Sequence, residues 1–276
     1  MKRAAGLSAG LALLCGGTGC GGGLPLLHPA QTLAQGDVRA EAGFSGNIAV
    51  GDLANAVTQA QADQNATGGA PTNPGSDPTF AKGAIVLASA APGLAPIGGA
   101  RVGMGWQSEG GIVYTGRAIR FDVRHAFTLS DRWALSLGVG GSSVLYGHQS
   151  DGVLSNVTLS QIHGWGADVP LLVGYQSAGE LYSIWLGARG GWEQVDISDV
   201  TSEPKSVTLG NPPVPLSATR FWGGGLLGFA VGFRHVHVAL ELDAAYQIIN
   251  GSYNSTTVPQ ISGVTRAPAT ALWWDF

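Results

Sequence analysis

Three polar residues that could cooperate in catalysis occur close together in the sequence: His148, Ser150 and Asp151. A histidine can activate a serine as a nucleophile, and a carboxylate can orient that histidine. Here the acid belongs to the same short polar segment, and no acid on a neighbouring segment stands out as the orienting group. The pattern favours a polar loop over a hydrolase, so we assign no catalytic residue.

A larger set of side chains carries balanced opposite charges on the polar face of otherwise apolar segments. Arginine suits buried ion pairs because its planar guanidinium binds carboxylates through two nitrogens. An unpaired buried ion would cost several kcal/mol, so we expect the two signs to pair with each other. The set contains five arginines and five acids, Arg101, Arg120, Arg124, Arg189, Arg220, Asp122, Asp168, Glu193, Glu241 and Asp243.

Metal, cofactor and nucleic-acid sites are not predicted. Among the histidines after the leader, only His235 and His237 share a face beside a turn, and that is not a metal-ligand pattern. Glycine clusters such as Gly138-Val139-Gly140-Gly141 lie inside apolar segments and not between a strand and a helix, so they are not phosphate loops. The net charge of -4 gives no basic footprint for nucleic acid.

The elements that carry these side chains are predicted to be β-strands. Apolar residues alternate with small or charged ones with a period of two, and turn-forming residues separate the segments. The clearest alternating segments are 113–129, 133–146, 221–233 and 236–248. Tight turns are predicted at 130–131, 177–180 and 234–235, and longer loops at 147–160, 196–217 and 250–265.

Eight strands are predicted between Gly98 and Phe276, with two more at 38–50 and 82–90. A short helix is expected at 52–63 within a long loop at 51–80. Strands joined alternately by short turns and long loops are typical of a closed antiparallel up-and-down barrel. The fold class is therefore all-β, with ten strands favoured over eight.

The chemistry of the two faces favours a membrane barrel over a soluble one. Only 12% of the residues are charged, and the polar face is mostly glycine, alanine and serine, which suits a narrow interior. Aromatic residues occur near the strand ends, as in interfacial girdles; they include Trp106, Trp133, Tyr175, Tyr182 and Trp274. A soluble lipocalin-like barrel is the alternative.

The carboxy-terminus resembles the last strand of bacterial outer-membrane β-barrel proteins. Leu272, Trp274 and Phe276 alternate on one face, and the chain ends on phenylalanine. In that family such an ending belongs to the signal read by the barrel-assembly machinery. The resemblance covers residues 38–276 and implies the bacterial outer membrane, with outer-membrane lipid and the assembly machinery as partners and Phe276 at the periplasmic rim.

The amino-terminus has the pattern of an export signal. Lys2 and Arg3 precede an apolar segment that is too short to span a bilayer. Gly17-Thr18-Gly19-Cys20 resembles a bacterial lipobox, which implies lipidation of Cys20; ordinary cleavage further on, after Ala34, is the alternative. Residues 1–20 are thus assigned to the signal and 21–37 to a linker.

A barrel of eight to ten strands has a lumen mostly filled by side chains. We therefore expect a structural or surface-recognition protein, with a salt-bridged, plugged lumen and long loops available to an extracellular ligand. A narrow channel for small solutes is the alternative. A lipid-modifying outer-membrane hydrolase, which the His-x-Ser arrangement at 148–150 loosely resembles, is a more distant one.

Overall fold

The computed structural model describes residues 23–66, 78–145, 154, 157–200 and 213–276. Its ten strands form a closed barrel in which each strand pairs antiparallel with its neighbours in sequence, and β1 closes on β10. The predicted ten-stranded barrel is therefore confirmed. The strands are β1 (Val38–Val50), β2 (Gly93–Gly105), β3 (Ser108–Tyr114), β4 (Ala118–Thr128), β5 (Trp133–Val144), β6 (Ile162–Gln176), β7 (Tyr182–Ile197), β8 (Leu216–Phe233), β9 (Val236–Tyr253) and β10 (Thr256–Asp275).

Two ends of the barrel differ in their connections. Four tight turns, the start of β1 and the end of β10 lie at one end, which we call the short-turn end. The other, the long-connection end, carries the β1–β2, β5–β6 and β7–β8 connections. The longer loops predicted near 147–160 and 196–217 fall there, because β5 ends at Val144 and β8 begins at Leu216.

Three local predictions are wrong. The segment 82–90 is not a strand; residues 82–89 lie in helix α2 (Pro78–Ser89), and Ala90 follows in a turn. Residues 113–129 are not one strand, because Gly116 has a φ of 84° in a turn that separates β3 from β4. The predicted loop at 250–265 is a two-residue turn at Asn254 and Ser255, both with positive φ, and the flanking residues extend β9 and β10.

The connection between β1 and β2 contains two helices that lie inside the barrel, and we call this pair the helical hairpin. Helix α1 (Asp52–Ala66) extends the short helix predicted at 52–63 and is followed by α2. The two helices pack closely, since a Cβ at Gly83 would lie 2.4 Å from the Cβ of Ala60. Nine of the twelve residues of α2 are buried, namely Phe80, Ala81 and the run from Gly83 to Ser89, so this largely apolar helix lies in the lumen. None of the helices in the described residues is long and apolar enough to cross a membrane.

The distribution of polar and apolar side chains in the barrel is the reverse of that in a soluble protein. Leucine, valine, phenylalanine and tryptophan side chains are exposed on the outside of the strands, whereas arginine and carboxylate side chains are buried inside. An outer surface of this kind requires lipid, because soluble proteins rarely expose such a continuous apolar area. This distribution argues against the soluble lipocalin-like alternative.

Two aromatic belts mark the limits of the apolar surface. Towards the short-turn end, Tyr175 contacts both Trp133 and Tyr182, with ring centroids 5.3 and 6.0 Å apart. Towards the other end, Trp192 lies 4.4 Å from Trp165 and close to a third ring, that of Phe221 on β8. Ten residues separate the belts on β6 and on β7, which corresponds to about 33 Å along a strand at ~3.3 Å per residue. A strand tilt of about 40° reduces this to about 25 Å, the height of the apolar band of outer-membrane barrels.

Beyond the second belt the outward face becomes polar, although β7 to β10 continue. Outward positions there include His163 on β6, Asp196 on β7, Thr219 on β8, Asn250 on β9 and Gln260 on β10. This part of the wall therefore projects out of the apolar band. The described part of the hairpin fills its inner side, where Phe80 packs edge-on against Tyr253 with ring centroids 6.0 Å apart.

Candidate functional site: the closed lumen

All ten charged residues assigned to the interior by alternation point into the lumen. Nine of them are buried, and Asp243 is partly exposed to an internal cavity. They do not form one network. Six of them join a continuous ladder, two belong to a second cluster, and Glu241 and Asp243 have different surroundings. The lumen is therefore the candidate site, and what it can do depends on how these groups are held.

The ladder runs around the barrel from β2 to β7 and alternates in sign. Arg101 bridges Glu109 and Asp122, and Arg120 in turn bridges Asp122 and Asp168. The Arg120–Asp168 pair is 2.9 Å long. At its ends, Arg124 lies 2.9 Å from Glu109 and Arg189 lies 3.0 Å from Asp168. Each carboxylate thus contacts two arginines, so these buried charges are paired.

Inward glycines let the ladder cross from one strand to the next but one. Arg101 on β2 reaches Asp122 on β4 over Gly111 of β3, where a Cβ would lie 2.7 Å from the guanidinium. Arg120 on β4 reaches Asp168 on β6 over Gly140 of β5, where a Cβ would lie 2.4 Å away. These glycines are needed because an adjacent side chain would occupy the path of the arginine.

Substituting alanine for Gly140 should weaken the barrel. The new methyl group would displace Arg120 from Asp168, and a disrupted buried pair is costly. We expect the temperature at which the protein loses its compact form on an unboiled gel to fall by several degrees. The matched control is Gly141→Ala, because the next residue faces outward and its Cβ would meet nothing closer than 3.9 Å. Equal melting temperatures for the two variants would show that the glycine does not serve the ladder.

A second cluster lies nearer the long-connection end. Glu193 on β7 binds Arg117 at 2.9 Å and Arg220 at 3.0 Å. Arg220 also donates to the side chain of Gln247 at 3.4 Å, and Gln247 donates to Thr265 at 2.5 Å. The cluster therefore ties β7, β8, β9 and β10 to the turn that carries Arg117.

The segment predicted as a linker lies inside the barrel. Residues 23–37, which we call the N-terminal strap, run from the short-turn end up into the lumen. The backbone N–H groups of Leu26 and Leu27 donate to the carboxylate of Glu241 at 2.6 and 3.0 Å. The indole of Trp185 donates to the same carboxylate at 2.8 Å, crossing the inward Gly228 of β8. Glu241 thus binds the strap, and not an arginine as the charge pattern suggested.

Further wall charges bind the strap along its length. Arg124 donates to the carbonyl oxygens of Pro29 and Gln31, the second at 2.9 Å. Leu33 N–H donates to Glu109 at 3.0 Å, and Arg189 donates to the carbonyl oxygen of Leu24. The strap is thus bound through its backbone by the same residues that form the ladder.

The short-turn end is closed by aromatic rings and one ion pair. Trp273 stacks on Trp185 with ring centroids 5.9 Å apart, and the Arg39 guanidinium lies 4.4 Å from the centre of the Trp273 ring. Arg39 also forms an ion pair of 2.6 Å with Asp275. The Nε2 of His237 lies 3.1 Å from the carbonyl oxygen of Glu180. Among the described residues, no group of three or more His, Cys, Asp or Glu side chains is placed to hold a metal ion.

The carboxy-terminal residues complete the seam of the barrel. Leu272, Trp274 and Phe276 face outward, whereas Trp273 is buried in the lumen. The backbone N–H of Phe276 donates to the carbonyl oxygen of Val38 at 2.9 Å, which joins the two ends of the barrel chain. The three outward residues thus lie at the short-turn end, facing the lipid side of the closing pair of strands.

Several lumen residues were not predicted from the sequence. Glu109 belongs to β3, whose sequence contains two glycines and too few apolar residues to show alternation. Arg117 lies in the unpredicted β3–β4 turn, and Arg39 and Glu41 lie on a strand whose register was not assigned. The apolar stretch Leu24–Ala30 was the available signal for a buried strap. Cys20, His148, Ser150 and Asp151 lie outside the described residues.

No protein-family model and no curated protein matches the chain. Among solved structures it is similar to Neisserial surface protein A, with 10% identity, 87% of this chain and 96% of that chain covered, and a TM-score of 0.30. It is also similar to Ail, the attachment invasion locus protein of Yersinia pestis, with 10% identity, coverages of 88% and 99%, and a TM-score of 0.30. A third is the outer-membrane protease OmpT from Escherichia coli, with 10% identity, coverages of 90% and 100%, and a TM-score of 0.34. The assignment of the fold rests on the strand pairing itself.

Proposed function

We propose that this protein is a closed barrel of the bacterial outer membrane with a structural or surface-recognition role, and that it is neither a conducting channel nor an enzyme. The observation that carries the proposal is the filling of the lumen at three levels. The helical hairpin occupies the long-connection end, the charge ladder crosses the middle, and the strap with Trp185 and Trp273 occupies the short-turn end.

The outer surface supports the location. The apolar band between the aromatic belts matches the bilayer in height, so outer-membrane lipid is its partner. The short-turn end would face the periplasm, as in other outer-membrane barrels, with the outward Leu272, Trp274 and Phe276 available to the barrel-assembly machinery. The projecting part of β7 to β10 and the long connections would then face the exterior, where they can present a surface to an extracellular ligand.

Liposome swelling tests the closed lumen. Proteoliposomes that contain the purified protein should swell in isotonic sugar solutions no faster than empty liposomes, because each of the three levels excludes solutes. A general porin reconstituted at the same protein-to-lipid ratio is the positive control. Swelling that depends on sugar size would favour the narrow channel instead and would overturn the closed-lumen proposal.

The lipid-modifying alternative stays a prediction from the sequence. Its residues, His148, Ser150 and Asp151, lie outside the described residues, so the structure adds nothing in its favour. The ion pairs of the lumen do not supply a substitute, because they are buried and bound to one another or to the strap.

A further inference from the structure

Arg266 is the one arginine or lysine of the described strands that points outward. It lies on β10, pairs with Ile48 of β1 and Ala244 of β9, and is exposed. The single outward carboxylate of these strands is Asp196, three strands away in the projecting part of β7, where it accepts a hydrogen bond from Gln194 at 3.1 Å. Arg266 therefore has no counter-ion on the described wall. A cation on a lipid-facing surface is costly unless it reaches the polar headgroups or an anion.

The position of Arg266 is level with the second aromatic belt. Because the strands tilt, paired residues differ in height: Trp165 pairs with Gln194, which lies two residues closer to the long-connection end than Trp192 of the belt. At a strand spacing of ~4.8 Å and a tilt of about 40°, each step from β7 towards β10 rises by about 3 Å. Three steps lead from Ala188 on β7 to Arg266, a rise of about 9 Å. Trp192, four residues beyond Ala188 on the same strand, lies about 10 Å above it at ~3.3 Å per residue. The guanidinium is thus placed where the lipid headgroups begin.

Tyr246 on β9 provides a second hydrogen-bond donor beside Arg266. The tyrosine is exposed on the outer face. Its partner in the ladder is Val264, the outward residue next to Arg266 on β10, so Tyr246 and Arg266 are diagonal neighbours. Residues at such positions are ~7–8 Å apart, which long and aromatic side chains can span. A guanidinium binds phosphate through two nitrogens, and a phenol hydroxyl can donate to the same group. The pair therefore suits a phosphate.

A shallow apolar groove leads from Arg266 down the outer wall. Its floor consists of small outward residues in two adjacent rows across three strands, Ala188 and Gly190 on β7, Gly223 and Gly225 on β8, and Ala244 on β9. A Cβ at any of the three glycines would meet no atom closer than 3.5 Å, so the wall itself leaves this space open. Larger outward side chains bound the groove, with Trp192 and Phe221 above it and Leu186, Leu227 and Leu242 below it. The groove therefore has room for a hydrocarbon chain that descends into the bilayer.

We propose that the outer wall of β7 to β10 binds one lipid whose headgroup carries a phosphate. The phosphate lies at Arg266 and Tyr246, and one acyl chain lies in the groove. This inference rests on the proposed location in the outer membrane and defines its lipid partner more closely. The unpaired cation requires an anion, and the groove beneath it requires an apolar chain; a single lipid supplies both. A second copy of this chain is a poorer partner, because its outward carboxylate, Asp196, lies beyond the apolar band.

Native mass spectrometry of the full-length protein tests the headgroup site. The protein is purified in a phosphate-free detergent and mixed with dioleoylphosphatidylglycerol. One lipid should remain bound to the unmutated protein, and dioleoylglycerol, which lacks the phosphate, should bind at least tenfold more weakly. Arg266→Gln should weaken binding of the phospholipid at least tenfold. The matched control, Arg234→Gln, removes an exposed arginine from the β8–β9 turn at the short-turn end and should leave binding unchanged.

A groove-filling variant tests the site of the acyl chain. Gly225→Val places a side chain in the open space of the groove and should weaken phospholipid binding at least tenfold, while the barrel keeps its compact form on an unboiled gel. Gly141→Val is the matched control, because Gly141 faces outward on β5, away from the groove, and its Cβ would meet nothing closer than 3.9 Å. It should bind the phospholipid as the unmutated protein does.

Four results would overturn the proposal: equal binding of the two lipids, full binding by Gly225→Val or by Arg266→Gln, displacement of the phospholipid by inorganic phosphate alone, or a dimer that retains no lipid. Should a variant fail to fold, the comparison of the two lipids on the unmutated protein decides. Liposome swelling does not depend on Arg266, so these results leave the closed lumen untouched. A protein that stays soluble without detergent would instead overturn the membrane location and this site together.

Discussion

Replacing Arg120 by alanine is expected to destabilise the barrel by about 3–5 kcal/mol, the range found when one partner of a buried ion pair is removed. Arg120 is 2% exposed and contacts both Asp122 and Asp168. Its loss would leave each carboxylate with one arginine in place of two, in an interior that water does not reach freely. The effect is measured as the difference in the free energy of unfolding between the two proteins, obtained by reversible urea unfolding in detergent.

Arg132→Ala is the matched control, because Arg132 is an exposed arginine in the β4–β5 turn whose guanidinium donates to the hydroxyl of Tyr175 at 3.3 Å. We expect its free energy of unfolding to stay within about 0.5 kcal/mol of that of the unmutated protein, as for most surface substitutions. The Arg120→Ala barrel should nevertheless remain non-conducting, because the hairpin and the strap are untouched. A stable Arg120→Ala protein would show that the ladder contributes no net stability.

Replacing Glu241 by alanine is expected to release the strap. The carboxylate accepts hydrogen bonds from Leu26, Leu27 and Trp185, all buried. Without it three donors lack an acceptor, at a cost of about 1–3 kcal/mol for each donor left unsatisfied. We expect the strap to leave the wall more often than the barrel unfolds, because β9 and its neighbours keep their backbone hydrogen bonds.

A cysteine at Ala30 reports on that release. Ala30 is fully buried against Gly174, where an added Cβ would lie 2.9 Å from the Ala30 Cβ. A maleimide should react with Ala30→Cys slowly in the otherwise unmutated protein and at least tenfold faster when Glu241→Ala is added. Glu180→Ala, an exposed acid at the short-turn end, should leave the rate unchanged. Equal rates in all three would mean that Glu241 does not hold the strap.

Alternation predicted the two faces of the wall well, because the period of a strand is a local property of the chain. It assigned Asp122 and Asp168 to the interior, where both are buried in the ladder. It also separated Trp273 from Trp274, which the structure places in the lumen and towards the lipid. The predicted number of strands was right although two of the predicted strands were wrong: residues 82–89 are helical, and 113–129 contains parts of two strands.

The filling of the lumen could not be predicted in the same way. A short apolar run such as Ala84–Ala88 fits a buried strand as well as a buried helix, since neither shows a polar face. The contacts of the strap join residues far apart in sequence; Leu26 and Glu241 are separated by 215 positions. Spacing alone cannot show that a carboxylate will bind backbone N–H groups when arginines are also nearby.

The ladder depends both on the residue types along each strand and on the register between paired strands. The register of the strands places Arg101, Gly111 and Asp122 in one row across β2, β3 and β4. Asp122, Gly140 and Asp168 continue that row to β6. Once the pairing of the strands is known, the glycines identify which arginines can reach across. The sequence contains both residue types, but the row exists only in the folded barrel.

Single-channel recording in planar lipid bilayers tests the closed lumen most directly. After insertion of the purified, unmutated protein, we expect the current to stay at the baseline of the bare membrane at moderate voltages of either sign. The electrolyte is KCl at about 1 M, where the Debye length is about 3 Å. Steady, voltage-independent conductance steps that scale with the number of inserted molecules would contradict it, because they require a continuous water-filled path past the hairpin, the ladder and the strap.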